Sequence, residues 1–223
     1  MKKTILAIGT HPDDIEIGCG GMLAILKRHG HELVHLVVTS GEEGGNSVDR
    51  RELGERREVE ARASARLLGA NDVIFFREDD GLTTFSKKAK LRLISLIRQL
   101  RPDIVFTHAK SDHFPDHHVV YQLTKSALLA AAGPWYPEAG AAPHMVKDVY
   151  GYEVWNPIPE YQVSVDISSV IELKIEALQV HQSQIGSMDY LGAIRGLAKY
   201  RGIMSMAGQY AEVFEVLKIG EIQ

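Results

Sequence analysis

A short polar segment after the first predicted strand contains residues that can bind a metal ion. The strand over residues 3–8 runs into Gly9-Thr10-His11-Pro12-Asp13-Asp14, and in open α/β sheets ligands bind beyond the carboxyl ends of the strands. Imidazole and carboxylate groups are zinc ligands, so His11 and Asp14 could supply two of the three protein ligands of a catalytic site. Asp13 could then act as general base toward a water activated by the metal. Taken alone, the segment is equally compatible with Asp13 and Asp14 capping the next helix and His11 being an ordinary loop histidine.

A second polar segment, residues 111–118, follows the predicted strand over residues 103–107. If the two strands are neighbours in the sheet, His117 can complete a His/Asp/His ligand set and leave a coordination position open for catalysis. Asp116 or His113 would then support the ligands from a second layer. Any single histidine here could be an exposed residue of a surface loop, but the combination of both segments favours a metal site.

Alternating strands and helices are predicted to position these two segments. Apolar runs rich in β-formers predict strands over 3–8, 33–39, 72–76, 103–107, 149–155, 162–165 and 213–219. Helical periodicity predicts helices over 21–28, 51–68, 87–100, 118–132 and 190–204. Ser169 and Glu172 have the spacing of a capping box that opens a further helix ending at His181. The pattern predicts an α/β, Rossmann-like, mainly parallel sheet with helices on both faces, in a single domain over residues 1–223.

The composition narrows the class of partner and of metal site. The formal net charge of -4 leaves no basic surface that would indicate nucleic acid, so a small-molecule partner is favoured. No apolar run approaches the length needed to cross a bilayer, and we expect a cytoplasmic protein without membrane contact. Cys19 is the only cysteine, which excludes an intramolecular disulfide and a cysteine-rich metal site.

The stretch Gly18-Cys19-Gly20-Gly21 raises a different possibility, a dinucleotide-binding loop. A Gly-x-Gly-x-x-Gly pattern that started at Gly18 would need its third glycine at Leu23, so the spacing is wrong. Close packing between a helix and a strand explains these glycines better. A dinucleotide-binding module would also contain no metal, which separates it from the metal-site hypothesis.

His11-Pro12-Asp13-Asp14 and Pro115-Asp116-His117 resemble the paired motifs of the PIG-L/LmbE-like family of zinc-dependent N-acetylglucosamine deacetylases. Arg57 and Glu60 resemble its Arg-x-x-Glu segment, and 210–214 resembles its C-terminal stretch. The resemblance implies one zinc ion per chain held by His11, Asp14 and His117, with Asp13 as general base and Arg57 in contact with substrate. It implies deacetylation of an amino sugar by an enzyme that forms trimers or hexamers.

Two details refine this resemblance. The form of the first motif, with Glu16 two residues after Asp14, is similar to that of the deacetylases of bacillithiol biosynthesis, which implies N-acetylglucosaminyl malate as a substrate. Phe114 stands where the family has the first histidine of His-Pro-Asp-His, and His113 precedes it. His113 could therefore stabilise the oxyanion, with Asp116 orienting it. If it does not, the alternative is a non-catalytic, metal-containing protein of the same fold that binds a sugar or a nucleotide.

Overall fold

A seven-stranded sheet lies at the centre of the computed structural model, which describes residues 1–45, 49–186 and 188–220. The strand order is β3-β2-β1-β4-β5-β7-β6. Strands β1 to β5 run parallel, whereas β7 is antiparallel to both β5 and β6. The strands are β1 Thr4–Gly9, β2 Glu32–Thr39, β3 Asp72–Glu78, β4 Ile104–His108, β5 Asp148–Tyr152, β6 Val163–Asp166 and β7 Ala211–Lys218.

Helices cover both faces of this sheet, because the strands alternate two sets of apolar side chains. Leu6 and Ile8 of β1 pack in one core with α3 and α4, while Ile5 and Ala7 pack in the other with α1 and α2. A third apolar cluster joins α1 to α5 and α7. The helices are α1 Asp14–Arg28, α2 Arg50–Leu67, α3 Lys87–Leu100, α4 Pro115–Ala131, α5 Ile171–Gln179, α6 Gln182–Ile185 and α7 Tyr190–Met204.

The predicted α/β class is confirmed, and β1 and β4 are neighbours, as the metal-site hypothesis requires. Two helix starts were predicted at least three residues too late: α1 begins at Asp14 rather than at residue 21, and α4 begins at Pro115 rather than at residue 118. The glycines of α1 weaken its helix propensity, but tertiary packing stabilises this part of the helix. A Cβ on Gly18 would come within 2.0 Å of the Tyr152 ring, which supports the close-packing explanation for the glycines.

The predicted capping box at Ser169 and Glu172 was wrong. Helix α5 begins at Ile171, and its N-cap residue, Val170, makes no side-chain cap hydrogen bond. The Glu172 carboxylate instead pairs with Arg195 on α7 at 2.6 Å, because an exposed carboxylate near a guanidinium gains a charge-assisted hydrogen bond. Among the described residues, no helix is both long and apolar enough to cross a membrane.

Candidate metal centre and active site

The loop after β1 is shaped by the carboxylate of Asp14. Its Oδ2 accepts hydrogen bonds from the backbone N–H groups of Thr10 at 3.0 Å and His11 at 2.7 Å. Asp13 occupies the N-cap position of α1 but makes no side-chain cap hydrogen bond. Neither carboxylate therefore caps α1 through its side chain, and the helix-capping alternative is wrong.

Three predicted ligands, His11, Asp14 and His117, converge at the carboxyl ends of β1 and β4. His11 Nδ1 lies 3.1 Å from His117 Nε2. Asp14 Oδ1 lies 3.4 Å from His117 Nε2, and Asp14 Oδ2 lies 3.5 Å from His11 Nδ1. Bonds of about 2.0–2.1 Å to a tetrahedral zinc ion separate its ligand atoms by about 3.3 Å. We call these three residues the ligand group, and their spacing fits such an ion.

The outer nitrogen of each histidine faces a carboxylate. His117 Nδ1 lies 2.9 Å from Asp112 Oδ2, and His11 Nε2 lies 3.0 Å from Asp80 Oδ1. These carboxylates favour protons on the outer nitrogens, so the lone pairs of Nδ1 of His11 and Nε2 of His117 point at one another. Two lone pairs at this separation repel unless a metal ion or a proton lies between them. Burial alone would lower the pKa of His11, but Asp116, Asp14 and Asp80 raise it well above its ordinary value, so a proton can take this place when no metal is bound. The donor set therefore matches the demands of a zinc site.

His108, at the end of β4, supports the ligand group from beneath. Its ring stacks on that of His117 with centroids 3.9 Å apart, and its Nε2 lies within hydrogen-bond distance of the Thr10 N–H and hydroxyl. Burial and, after it, the charge of nearby His117 lower the pKa of His108 to about 4, although Asp14 and Asp112 oppose the shift. Burial alone would raise the pKa of Asp14, but His117, His108 and His11 hold it well below its usual range.

Asp13 lies beside the ligand group and is held by Arg57. The guanidinium donates from Nη2 to Pro12 O at 2.9 Å and from Nη1 to Gly41 O at 2.9 Å. Its Nη2 also lies 3.4 Å from Asp13 Oδ2. Asp13 has a φ of 128°, a conformation that costs free energy and is found most often where function requires it. Burial raises the pKa of Asp13, although Arg57 opposes the shift; a raised pKa suits a proton acceptor.

His113, the predicted oxyanion stabiliser, is not brought to the ligand group. Its side chain is exposed, and its backbone N–H donates to Asn156 Oδ1 at 2.9 Å. Phe114 lies beside the ligand group instead. Its backbone N–H donates to Asp112 Oδ1 at 3.0 Å, and its ring lies 4.9 Å from the ring of His117.

Asp116 was predicted to orient His113, but its contacts lie elsewhere. Its Oδ2 accepts hydrogen bonds from Gly81 N at 2.8 Å and from the Thr83 hydroxyl at 3.2 Å. The same oxygen lies 3.9 Å from His11 Nε2. Asp116 therefore fixes the loop after β3 against the ligand group and makes no contact with His113 within the described chain.

Several residues of the site were missed by the sequence analysis. Asp112 lies within the predicted second segment. His108 is the last residue of β4, and Asp80 follows β3. Their positions at strand ends were available signals. His181 is fully buried, with Nε2 at 3.6 Å from Glu16 Oε2. Burial alone would lower the pKa of His181, but Glu16 raises it.

These side chains surround a cavity of about 330 Å³. Its base contains His11, Asp13 and Asp14. Its sides come from the loops after β2, β3 and β5 together with α7. The lining residues beyond those already described include Ile17, Glu43, Val154, Trp155, Tyr190 and Ile194. The cavity is of the size that small-molecule sites have.

Comparison with known proteins then decides the family. The family profile described as PIG-L, GlcNAc-PI de-N-acetylase, matches residues 6–128. The chain belongs to the PIG-L family. A diacetylchitobiose deacetylase of Thermococcus kodakarensis is 32% identical over an alignment that covers 94% of this chain and 81% of that protein.

Two solved structures share the fold of this chain. The N,N'-diacetylchitobiose deacetylase of Pyrococcus horikoshii superposes with a TM-score of 0.86 at 27% identity, covering 96% of this chain and 84% of that one. GalB, a 4-carboxy-2-hydroxymuconate hydratase of Pseudomonas putida, gives a TM-score of 0.87 at 23% identity, covering 100% of this chain and 99% of that one. The likeness to GalB shows the fold alone.

Membership of the PIG-L family makes the chain a hydrolytic N-deacetylase of the N-acetylglucosamine type. The family is metal-dependent, and His11, Asp14 and His117 form a group able to hold a metal ion. No relative or solved structure described above supports the non-catalytic alternative.

Proposed function

We propose that this PIG-L protein is a zinc-dependent hydrolase that removes the acetyl group from an N-acetylglucosamine-containing small molecule. The observation that carries the proposal is the ligand group, whose two histidine nitrogens lie 3.1 Å apart while carboxylates face their outer nitrogens. When bound there, zinc would supply a Lewis acid that polarises the amide carbonyl and acidifies water. His11, Asp14 and His117 would hold it.

The chain's own contribution to the chemistry is proton transfer by Asp13. A water oxygen attacks the amide carbon while Asp13 accepts a proton from that water. The same proton then passes from Asp13 to the amide nitrogen, and the C–N bond breaks. The products are the free amine and acetic acid, which keeps the second proton of the water until it ionises in solution. One carboxylate thus serves as base and then as acid, which agrees with its raised pKa.

Arg57 is proposed to position Asp13. Its three hydrogen-bonding contacts join Asp13 to the carbonyls of Pro12 and Gly41, which keeps the strained backbone and the carboxylate in one place. The guanidinium also lines the cavity, so its predicted contact with substrate stays a prediction. The role predicted for His113 also stays a prediction, and the mechanism above does not use it.

The amino-sugar substrate follows from the relatives' names, which specify acetylated glucosamine compounds. We propose that residues 1–223 form one deacetylase domain, since the described strands form a single sheet. The trimeric or hexameric state implied by the family resemblance stays a prediction.

The test is release of a primary amine from the methyl glycoside of N-acetylglucosamine. We expect turnover by the protein as purified, loss of turnover after treatment with a chelator, and recovery when zinc is returned. Turnover that is unchanged by full removal of metal would rule out the proposed function, as would the absence of amine release from this and every other N-acetylglucosamine conjugate tried with zinc present.

A further inference from the structure

A second cavity, of about 380 Å³, lies between helix α4 and the sheet. Residues of α4 line one side of it, and residues of β4, β5 and the end of β7 line the other. None of its lining residues lines the cavity beside the ligand group. The proposed deacetylation therefore does not use this second cavity, which we call the α4 cavity.

Apolar side chains at the α4 cavity are more exposed than the core side chains beneath them. Leu129 is 72% exposed and Met145 is 62% exposed, while Leu128 and Leu217 are partly buried and pack on the core. Exposed apolar groups beside a concave apolar surface gain free energy when a ligand covers them. An alkyl chain suits this lining, since it needs no hydrogen bonds and since methionine adapts to the shape of its neighbours.

The charges of the lining favour an anionic ligand. Lys125 of α4 and Lys218 of β7 contribute two ammonium groups, and no Asp or Glu is among the described residues that line the cavity. Lys218 donates to Val146 O at 2.6 Å, which holds its ammonium group at the cavity and leaves two N–H bonds for a ligand. Lys125 forms no ion pair within the described part of the chain. The two ammonium groups are therefore complementary to a carboxylate.

Tyr121 adds a hydrogen-bond donor one helical turn before Lys125. It lines the cavity and is only 4% exposed, yet its hydroxyl forms no hydrogen bond with any described residue. Burial and, after it, the charge of Glu215 raise the pKa of Tyr121, so the hydroxyl keeps its proton at neutral pH. Glu215 itself accepts the Lys110 N–H at 2.8 Å and does not line the cavity. A carboxylate between Tyr121 and Lys125 would give the phenol the partner that buried polar groups need.

We propose that the α4 cavity binds one amphiphile that has a single alkyl chain and a carboxylate head, such as a medium-chain fatty acid. The chain lies against Leu128 and Leu217, and the carboxylate lies beside Lys125 and Tyr121. Lys218 adds a second positive charge that strengthens the attraction. This inference goes beyond the proposed function and does not depend on it.

The first experiment compares three probes by isothermal titration calorimetry. The probes are decanoate, the decyltrimethylammonium cation and acetate, each kept below the concentration at which micelles form. We expect one decanoate per chain. Binding should be at least about tenfold weaker for the cation, which meets two like charges, and for acetate, which lacks the chain. Equal affinity for decanoate and for the cation would overturn the proposal.

Two further arms separate the α4 cavity from other places where decanoate could bind. A carboxylate can also bind a metal ion, so the titration is repeated on protein freed of metal by a chelator, and we expect decanoate to bind as before. Loss of binding with the metal would place decanoate at the ligand group and overturn the proposal. Protein that sediments with vesicles of anionic phospholipid but does not bind decanoate would show a membrane surface instead of a single-chain site, and would overturn it as well.

The last experiment changes the cavity itself. Tyr121→Phe removes one donor, and Lys125→Met combined with Lys218→Met removes both positive charges. We expect the affinity for decanoate to fall about fivefold in the first variant and about tenfold in the second. Ala132→Phe should abolish binding, because Ala132 lines the cavity and a phenyl ring would fill it. The matched control is Lys88→Met, since Lys88 is exposed and lies outside the cavity; it should bind decanoate like the parent.

Thermal unfolding checks that each variant is folded. Parental affinity in the folded Tyr121→Phe variant and in the folded double lysine variant would contradict the proposal. Absence of decanoate binding, together with self-association that Ala132→Phe abolishes in sedimentation velocity, would also contradict it, because the cavity would then be an interface between copies of the chain.

Discussion

Two buried polar groups contact helix α1, and they differ in how their charges are satisfied. At the start of the helix, the ligand group directs two histidine nitrogens and a carboxylate toward one point. In the middle of the helix, Lys174 donates to Glu212 at 2.5 Å and to Ile17 O at 2.7 Å. We call Lys174 and Glu212 the structural ion pair.

The structural ion pair is complete without any ligand. Glu212 accepts the backbone N–H groups of Gly21 at 2.8 Å and Met22 at 2.7 Å, so its carboxylate and the ammonium of Lys174 both have several partners. In the ligand group, by contrast, a carboxylate and two histidine nitrogens converge on one point, where a metal ion or a proton can bind. Burial and charge occur in both places, and this convergence distinguishes the candidate metal site from the structural ion pair.

Breaking the structural ion pair should have the largest effect on stability. Lys174→Met leaves the Glu212 carboxylate buried without its ammonium partner, and we expect the free energy of unfolding to fall by about 3–5 kcal/mol. Denaturant unfolding measures this change. Zinc content of the folded protein should stay the same. The double variant Lys174→Met with Glu212→Gln should recover part of the loss, and a single variant as stable as the parent would contradict the structural assignment.

Asp112→Asn should act on metal binding instead. Asp112 Oδ1 accepts the Phe114 N–H, so the new amide must direct its NH2 group at His117 Nδ1. That nitrogen would then carry the lone pair and the proton would move to Nε2, which cannot bind zinc while protonated. We expect zinc affinity to fall about 10–100-fold in competition titrations with a chromophoric chelator. An unchanged affinity would argue against Nε2 as the ligand atom.

Asp80→Asn should give the smallest of these changes, about tenfold at most in zinc affinity. Asp80 faces His11 Nε2, as Asp112 faces His117, but its Oδ2 also accepts the Glu43 N–H from a surface loop. Because His11 is less buried than His117, water can replace part of the lost contact. The same chelator titration measures it, and a loss greater than that of Asp112→Asn would reverse the proposed ranking.

The ligand group could be predicted because it depends on two local facts. Each of its segments follows an apolar strand, and the carboxyl ends of parallel strands share an edge of the sheet. The positions of the supporting residues at strand ends were visible in the sequence, but their partners were not: Asp112 contacts His117 of its own segment, whereas Asp80 contacts His11 of another. Asp80 follows β3 and reaches His11 only because β2 alone separates β3 from β1, and sequence spacing does not reveal that order.

Local rules failed where tertiary contacts decide the structure. The spacing of Ser169 and Glu172 fits a capping box, yet the Glu172 carboxylate forms an ion pair with Arg195 of a distant helix. The glycines of α1 lower helix propensity, yet Tyr152 and the structural ion pair hold that part of the helix. The sequence also does not show that Phe114, rather than His113, lies beside the rings of His11 and His117.

The central claim is that Asp14 binds the metal and Asp13 moves the proton. The neighbouring variants Asp14→Asn and Asp13→Asn test it as a matched pair, with zinc per chain measured by elemental analysis and amine release measured on the same samples. We predict that Asp13→Asn keeps about one zinc ion per chain and loses turnover by a factor of about 10²–10⁴, whereas Asp14→Asn loses the metal. Retention of zinc by Asp14→Asn together with its loss from Asp13→Asn, or normal turnover in Asp13→Asn, would contradict the account.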